Sequence, residues 1–270
     1  MKITARTRVF ALLGDPVTHS LSPRMQTAAF QAAGLDAVYV AIAVLAEDVE
    51  TVMTALVRNG GGGNITIPFK QVAGRCARGT RDARVERLSS ANVFGRSDGQ
   101  LQLRNTDVDG ILAGLDALNV ESAAWCVIGT GGSARAVAGA AAERGARIAV
   151  RSRDAKRAAD FAEWAASIGV PAAELAECGA VINATPLGLA PRDEHPIDPA
   201  SIPAGAAALD LTYLRPGETP WVRACRERGL RASDGREVLL AQGAASWALW
   251  FPEAAAPVEI MRAALDGRLG

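Results

Sequence analysis

The segment Gly129-Thr130-Gly131-Gly132-Ser133-Ala134 constrains this chain more than any other stretch. It has the form G-x-G-x-x-A. The apolar run Trp125-Cys126-Val127-Ile128 enters it and an Ala-rich stretch over residues 134–143 leaves it. That is the strand–turn–helix setting of a dinucleotide site. The first glycine makes the tight turn, and the second lets the backbone approach a pyrophosphate at the positive end of the helix. The loop begins at residue 129 of 270, so enough sequence precedes it for a separate domain that holds whatever the dinucleotide reacts with.

Strand and helix signals divide the chain accordingly. Residues 9–13, 37–42 and 64–67 read as strands, the last stopped by Pro68 after the four glycines 60–63. Ser22 reads as a helix N-cap with Pro23 as the first helical residue, Gly34 is placed to stop that helix, and residues 47–57 form another. Asn92-Val93-Phe94 and Leu101-Gln102-Leu103 flank Ser97-Asp98-Gly99 as a hairpin. After Asp107 a helix over 108–117 leads to the Gly-rich loop. Strands at 147–150, 181–183 and 207–211 and a helix at 155–166 then continue a regular alternation. Two consecutive helices, 235–250 and 256–265, end the chain outside that alternation. The expected fold class is α/β, with an N-terminal mixed-sheet substrate domain and a doubly wound, parallel-sheet (Rossmann) dinucleotide domain. The expected boundaries are residues 1–107, completed by the C-terminal helices 236–270, and residues 108–235.

Charge excludes some partners. The 29 basic and 29 acidic residues cancel, so no net basic field favours nucleic acid or an anionic membrane. Residues 1–6 lack the apolar run of a signal peptide, and no stretch approaches a transmembrane span of about 20 apolar residues. Cys76, Cys126, Cys178 and Cys225 are scattered without a C-x-x-C and read as reduced core thiols. A cytoplasmic protein is expected, as a monomer or homodimer.

Four polar segments sit where strands end. Ser20 and Ser22, beside a helix N-terminus, either hold a small anion such as a carboxylate or serve as an exposed hydroxyl and a cap. In Asn64-Ile65-Thr66-Ile67-Pro68-Phe69-Lys70, alternation puts Asn64 and Thr66 on one face, which suggests a cleft. Lys70 lies on the turn set by Pro68. It is either an acid–base group in a desolvated pocket or a solvated lysine at a helix start. Asn92 and Asn105-Thr106-Asp107 complete the set, and Asp107 either caps the next helix or pairs with Lys70.

Together these segments resemble the shikimate dehydrogenase family over nearly the whole chain. The matching marks are Ser20-Leu21-Ser22-Pro23, Asn64 to Lys70, Asn105-Thr106-Asp107, the Gly129 loop, Asn183-Ala184-Thr185-Pro186-Leu187-Gly188, Asp210-Leu211-Thr212-Tyr213 and Gln242. The resemblance implies that Lys70 and Asp107 form the catalytic pair. It implies that Ser20 and Ser22 bind a carboxylate, that Thr66, Asn92, Asp107 and Gln242 bind ring hydroxyls, and that Tyr213 lies near the carboxylate or the nicotinamide. Cofactor contacts would come from Gly129, Thr130, Gly131, Gly132, Ser133, Ala134, Ser152, Arg153, Asp154, Arg157, Thr185 and Gly235. The substrate would be a shikimate-like cyclohexene carboxylate. Departures are Val93 after Asn92, Arg24-Met25-Gln26 after Pro23, and one extra residue in the loop from Leu214 to Pro220. They leave quinate or aminoshikimate as alternative substrates. A sensor that binds such a metabolite without turning it over is a rival of another class, opposed by the retention of both Lys70 and Asp107.

Cofactor choice is set after the second strand of a dinucleotide sheet. The resemblance implies that Ser152, Arg153 and Arg157 hold a 2′-phosphate, which guanidinium groups match; alternatively the arginines belong to a solvated turn. Asp154 argues for a free hydroxyl. NADP is expected, with NAD possible. His195 reads as surface, His19 as shaping the serine segment, and no cluster has metal-ligand spacing.

Overall fold

The computed structural model describes residues 3–190, 194–214 and 217–268. Arg215 and Pro216 of the expected loop insertion lie outside the described residues. The chain divides into two compact units: residues up to Asp107 together with those from Leu239 onward, and residues Val108–Val238.

The first unit is built on a six-stranded sheet. Its elements are β1 (Arg8–Gly14), α1 (Ser22–Ala32), β2 (Ala37–Ala43), α2 (Val49–Arg58), β3 (Gly62–Ile65), α3 (Lys70–Gly74), β4 (Thr80–Arg81), α4 (Ala83–Leu88), β5 (Val93–Ser97) and β6 (Gln100–Arg104). The order is β2-β1-β3-β5-β6-β4. β1 pairs parallel with β2 and β3, while β5 runs antiparallel to both β3 and β6, so the sheet is mixed. Asp98 and Gly99 both have positive φ, 50° and 79°, and close the β5–β6 hairpin as a two-residue turn.

Two local expectations are corrected. β3 covers 62–65, not 64–67: Gly62 and Gly63 are strand residues lying beside β1. A Cβ on Gly63 would stand 1.9 Å from the Ala11 carbonyl oxygen, so glycine is required by close backbone approach and does not mark a connector. Leu21, not Ser22, is the N-cap of α1, with no side-chain cap; Ser22 is the first helical residue. Lys70 opens the short helix α3. The short elements β4, α3 and α4 were too brief to announce themselves by periodicity.

Alternation along β1 sends its side chains to two cores. Ala11 and Leu13 join Ile65, Phe94 and Leu103 with Val49, Met53 and Val57, which recur every four residues along α2. Phe10 instead meets an aromatic cluster with Phe30, Trp250 and Phe251.

α5 (Asp107–Ala117) leads into the second unit, followed by β7 (Ala124–Ile128), α6 (Gly132–Arg144), β8 (Arg147–Arg151), α7 (Ala155–Ser167), β9 (Ala180–Asn183), β10 (Ala207–Asp210), α8 (Pro220–Glu227) and β11 (Arg231–Ser233). The sheet is wholly parallel in the order β11-β10-β9-β7-β8. Ala172 adds a single parallel bridge to Ile148 beyond β8. With that bridge as a vestigial third strand, the order is the doubly wound one, and its switch point falls between β7 and β9. Ligands bind at such a point, outside the carboxyl ends of the strands, and that is where Gly129 sits. Ala134, Ala136, Ala138, Ala140 and Ala141 of α6 are fully buried, which is why a run of small residues suits this helix.

α9 (Arg236–Trp250) and α10 (Val258–Leu265) complete the chain, the latter two residues shorter at its start than expected. Trp247 and Trp250 belong to the aromatic cluster, and their indole N–H groups donate to Gln26 Oε1 and the Phe94 carbonyl, each at 3.0 Å. These buried rings bind the C-terminal helices to the first unit. Among the described residues no helix is long and apolar enough to cross a membrane, and no cluster could hold a metal ion.

Candidate active site

Lys70 and Asp107 are far apart in sequence but meet in the first unit. Lys70 is placed by its own carbonyl, which accepts from the Ala91 amide at 2.9 Å just before β5. Asp107 is the first residue of α5. Lys70 Nζ lies 2.7 Å from Asp107 Oδ2, and each side chain is only 13% exposed. An ion pair so withdrawn from water is a weak source of stability but a common feature of reactive sites.

Asn92 fixes the carboxylate. Its Oδ1 accepts the Thr106 backbone N–H at 2.7 Å, which sets the amide orientation. Its Nδ2 then donates to Asp107 Oδ1 at 3.0 Å, with Thr106 Oγ1 and Gln242 Oε1 also in reach at 3.1 and 3.2 Å. Gln242 is held from the other side, donating to the Leu239 carbonyl at 2.9 Å. Lys70, Asp107, Asn92 and Gln242 therefore form one continuous network.

Further buried bonds stand behind it. Tyr39 OH donates to Asn64 Oδ1 at 2.7 Å, and Asn64 Nδ2 donates to the Asn92 carbonyl and to Ser246 Oγ, both at 3.1 Å. Asn64 is thus a buried support, not the cleft-facing residue that alternation suggested. Sequence reasoning missed Tyr39 and Ser246. Ser246 had a signal: it follows Gln242 by four residues, on the same face of α9. Tyr39 had none.

The other expected substrate residues are placed near strand ends. Ser20 Oγ accepts the Ser22 backbone N–H at 3.2 Å, so it is Ser20 that serves the start of α1. Ser22 is buried and Ser20 partly so. Thr66 is partly buried and follows β3, its amide donating to the Leu13 carbonyl at 2.8 Å. Tyr213 is partly buried in the second unit, after β10.

In the second unit the Gly-rich loop has the geometry its glycines demand. Gly129 has φ +109°, and a Cβ there would stand 3.0 Å from the Ala184 carbonyl oxygen. Gly131 differs: it is the N-cap of α6, and a Cβ on it would meet no protein atom within 4 Å. No side chain caps α6. Open space therefore lies beside the N-terminus of α6, a cradle that fits an anionic group such as a pyrophosphate. Thr130, Gly132 and Ser133 are partly buried around it, while Ala134 is fully buried and contributes packing. Thr185 uses its hydroxyl internally, donating to Asn183 Oδ1 at 2.7 Å and accepting from the Leu187 amide at 3.2 Å. Gly235 donates its amide to the Thr212 carbonyl at 2.8 Å.

Arg151 ends β8, where an acidic residue would select NAD. Arg153 and Arg157 are exposed beyond it. Asp154 is the N-cap of α7, its Oδ1 accepting from the Arg157 amide at 3.1 Å. The sequence left its carboxylate as a candidate for a ribose hydroxyl; in the structure it is engaged by the helix. His19 and His195 are exposed.

Known proteins resemble this chain over most of its length. The family model for the shikimate dehydrogenase substrate binding domain matches residues 12–93. A shikimate dehydrogenase (NADP(+)) of Anaeromyxobacter sp. is 37% identical, with 97% of both chains covered. One from Acidiphilium cryptum is 35% identical over 93% of each. The crystal structure of shikimate 5-dehydrogenase from Thermus thermophilus in complex with NADP(H) and shikimate superposes with a TM-score of 0.84, at 32% identity, covering 97% of this chain and 100% of that one.

Proposed function

The chain belongs to the shikimate dehydrogenase family, and we propose that it interconverts shikimate and 3-dehydroshikimate with NADP, using Lys70 and Asp107 as its catalytic pair. It is an oxidoreductase of the chorismate-forming route to aromatic amino acids. The observation that carries the assignment of roles is the 2.7 Å Lys70–Asp107 pair with Asn92 bonded to the second carboxylate oxygen.

Lys70 takes the proton from the ring hydroxyl during oxidation and returns it during reduction, while Asp107 accepts a hydrogen bond from that hydroxyl and orients Lys70. Ser20 and Ser22 hold the substrate carboxylate, and Thr66, Asn92 and Gln242 hold ring hydroxyls. When bound, NADP supplies the hydride acceptor, and its reduced form the donor. The open cradle at Gly131 supports a pyrophosphate there, and Ser152, Arg153 and Arg157 support a 2′-phosphate after β8. Asp154 caps α7 through Oδ1, which gives its carboxylate a structural role apart from the nucleotide. The corresponding setting is a cytoplasmic enzyme acting on a small molecule, as a monomer or homodimer.

Steady-state rates with shikimate and with quinate, each with NADP and NAD, test the reading. Shikimate with NADP should give the highest kcat/KM. A preference for quinate would reassign the substrate, and tight shikimate binding without turnover would make the protein a sensor.

A further inference from the structure

Asp210 is a carboxylate for which the reaction above has no use. It is the last residue of β10 and has no solvent exposure. Its Oδ1 accepts from Asn183 Nδ2 at 2.8 Å, from the Thr212 backbone N–H at 3.0 Å and from Thr212 Oγ1 at 2.8 Å. Its Oδ2 accepts from Thr219 Oγ1 at 2.7 Å. A carboxylate offers about four acceptor sites, and neutral donors fill them here. Burial pushes the carboxyl above its usual range, opposed by the Thr219, Thr212 and Asn183 bonds. Burying such a group is costly, and an apolar strand end would hold the sheet together at lower cost.

What Asp210 joins explains its presence. Asn183 ends β9, in register with Asp210. The bond to Asp210 fixes the Asn183 amide, whose Oδ1 accepts the Thr185 amide at 3.0 Å and whose Nδ2 also reaches the Leu187 carbonyl at 3.0 Å. The turn so formed is the wall beside Gly129, where a Cβ would be crowded by Ala184 O and Thr185 Cγ2 at 3.0 and 3.1 Å. On its other side Asp210 holds Thr212, whose carbonyl receives the Gly235 amide. One buried carboxylate therefore ties down the segments after β9 and β10, the first of which borders the switch point of the sheet.

We infer that Asp210 is a positioning residue for cofactor binding: through Asn183 and Thr212 it holds the Ala184–Thr185 wall and the Thr212–Tyr213 segment in the conformation that NADP requires. The inference rests on the NADP reading above. Asp210→Asn keeps the shape but turns an amide N–H toward donors. It should raise the Kd for NADPH, followed by NADPH fluorescence well below the melting temperature, by at least about tenfold, the size of one lost charge-assisted hydrogen bond. Val181→Ala, a cavity in the core of the same unit, serves as a control that lowers Tm without touching these loops. Thr212→Val, a milder change, should weaken NADPH binding in the same sense, and Thr212→Ser should restore it. This pair decides the matter if Asp210→Asn does not fold. NADPH affinity unchanged in Asp210→Asn, or in Thr212→Val, while Tm falls as in Val181→Ala, would overturn the positioning role and leave the cofactor reading intact. A wild-type protein that binds no NADPH would overturn both.

Discussion

Lys70 Nζ and Asp107 Oδ2 stand 2.7 Å apart, and the other oxygen of Asp107 is held by Asn92 at 3.0 Å. The carboxylate is thereby aimed at the lysine and cannot rotate away without breaking a buried amide contact. If Lys70 moves the proton, Lys70→Ala should lower kcat by about 10²–10⁴-fold, the usual worth of a positioned acid–base group. KM for shikimate should change less, since the serines, Asn92 and Gln242 remain. Asp107→Asn should also slow turnover, and the double mutant should fall well short of the product of the two losses. Full multiplicative loss would indicate independent roles, and near-normal kcat in Lys70→Ala would end the proton-transfer assignment.

The nucleotide preference should follow Arg153. Arg153→Ala removes a guanidinium beyond β8 and should reduce kcat/KM with NADP by about 10–100-fold, the range for a hydrogen bond to a charged group, while NAD is little affected. Equal losses with both nucleotides would place Arg153 elsewhere. Asp154→Ala acts differently, because that carboxylate accepts the Arg157 amide at the start of α7. It should lower stability by about 1 kcal/mol, the typical worth of an N-cap, read as a fall in Tm.

The four cysteines are free and buried. Burial pushes the Cys76 thiol up to about 11 and the Cys126 and Cys225 thiols up to about 12. Since the thiolate is the reactive form, a thiol-specific reagent at pH 8 should label native protein slowly and label it fully only after denaturation. Fast labelling of any thiol in the native state would contradict this burial.

Long elements and the Gly-rich loop were legible in the sequence because their signals are local. A strand, a positive-φ glycine and a helix of small residues lie within 20 positions of one another around Gly129. The candidate site was legible only in part. Lys70 and Asp107 could be paired by resemblance, but nothing local shows that Asn92 joins them or that its amide is set by Thr106. Asn64 was misassigned because strand alternation names a face without saying whether a helix covers it; α9 does, through Ser246. The strand was expected to start only after Gly62 and Gly63, because composition cannot distinguish a flexible glycine from one that a neighbouring backbone forbids to change.

Gly129 and Gly131 belong to one loop yet should answer mutation differently, and the contrast tests the cofactor cradle most directly. At Gly129 an alanine is opposed twice: φ is +109°, where L-residues are strained, and its Cβ would press on the Ala184 carbonyl at 3.0 Å. Gly129→Ala should therefore lower Tm and weaken NADP binding together. At Gly131 φ is −86° and a Cβ meets no protein atom within 4 Å. Nothing in the protein itself calls for glycine there. If the space is reserved for a pyrophosphate, Gly131→Ala should leave Tm within about 1 °C, as expected for a change below ±0.5 kcal/mol, while raising the NADPH Kd by at least about tenfold. Calorimetry and NADPH titration of the same preparations read both quantities. An alanine at 131 that binds NADPH normally would show that the pyrophosphate does not approach this residue, whatever the loop resembles.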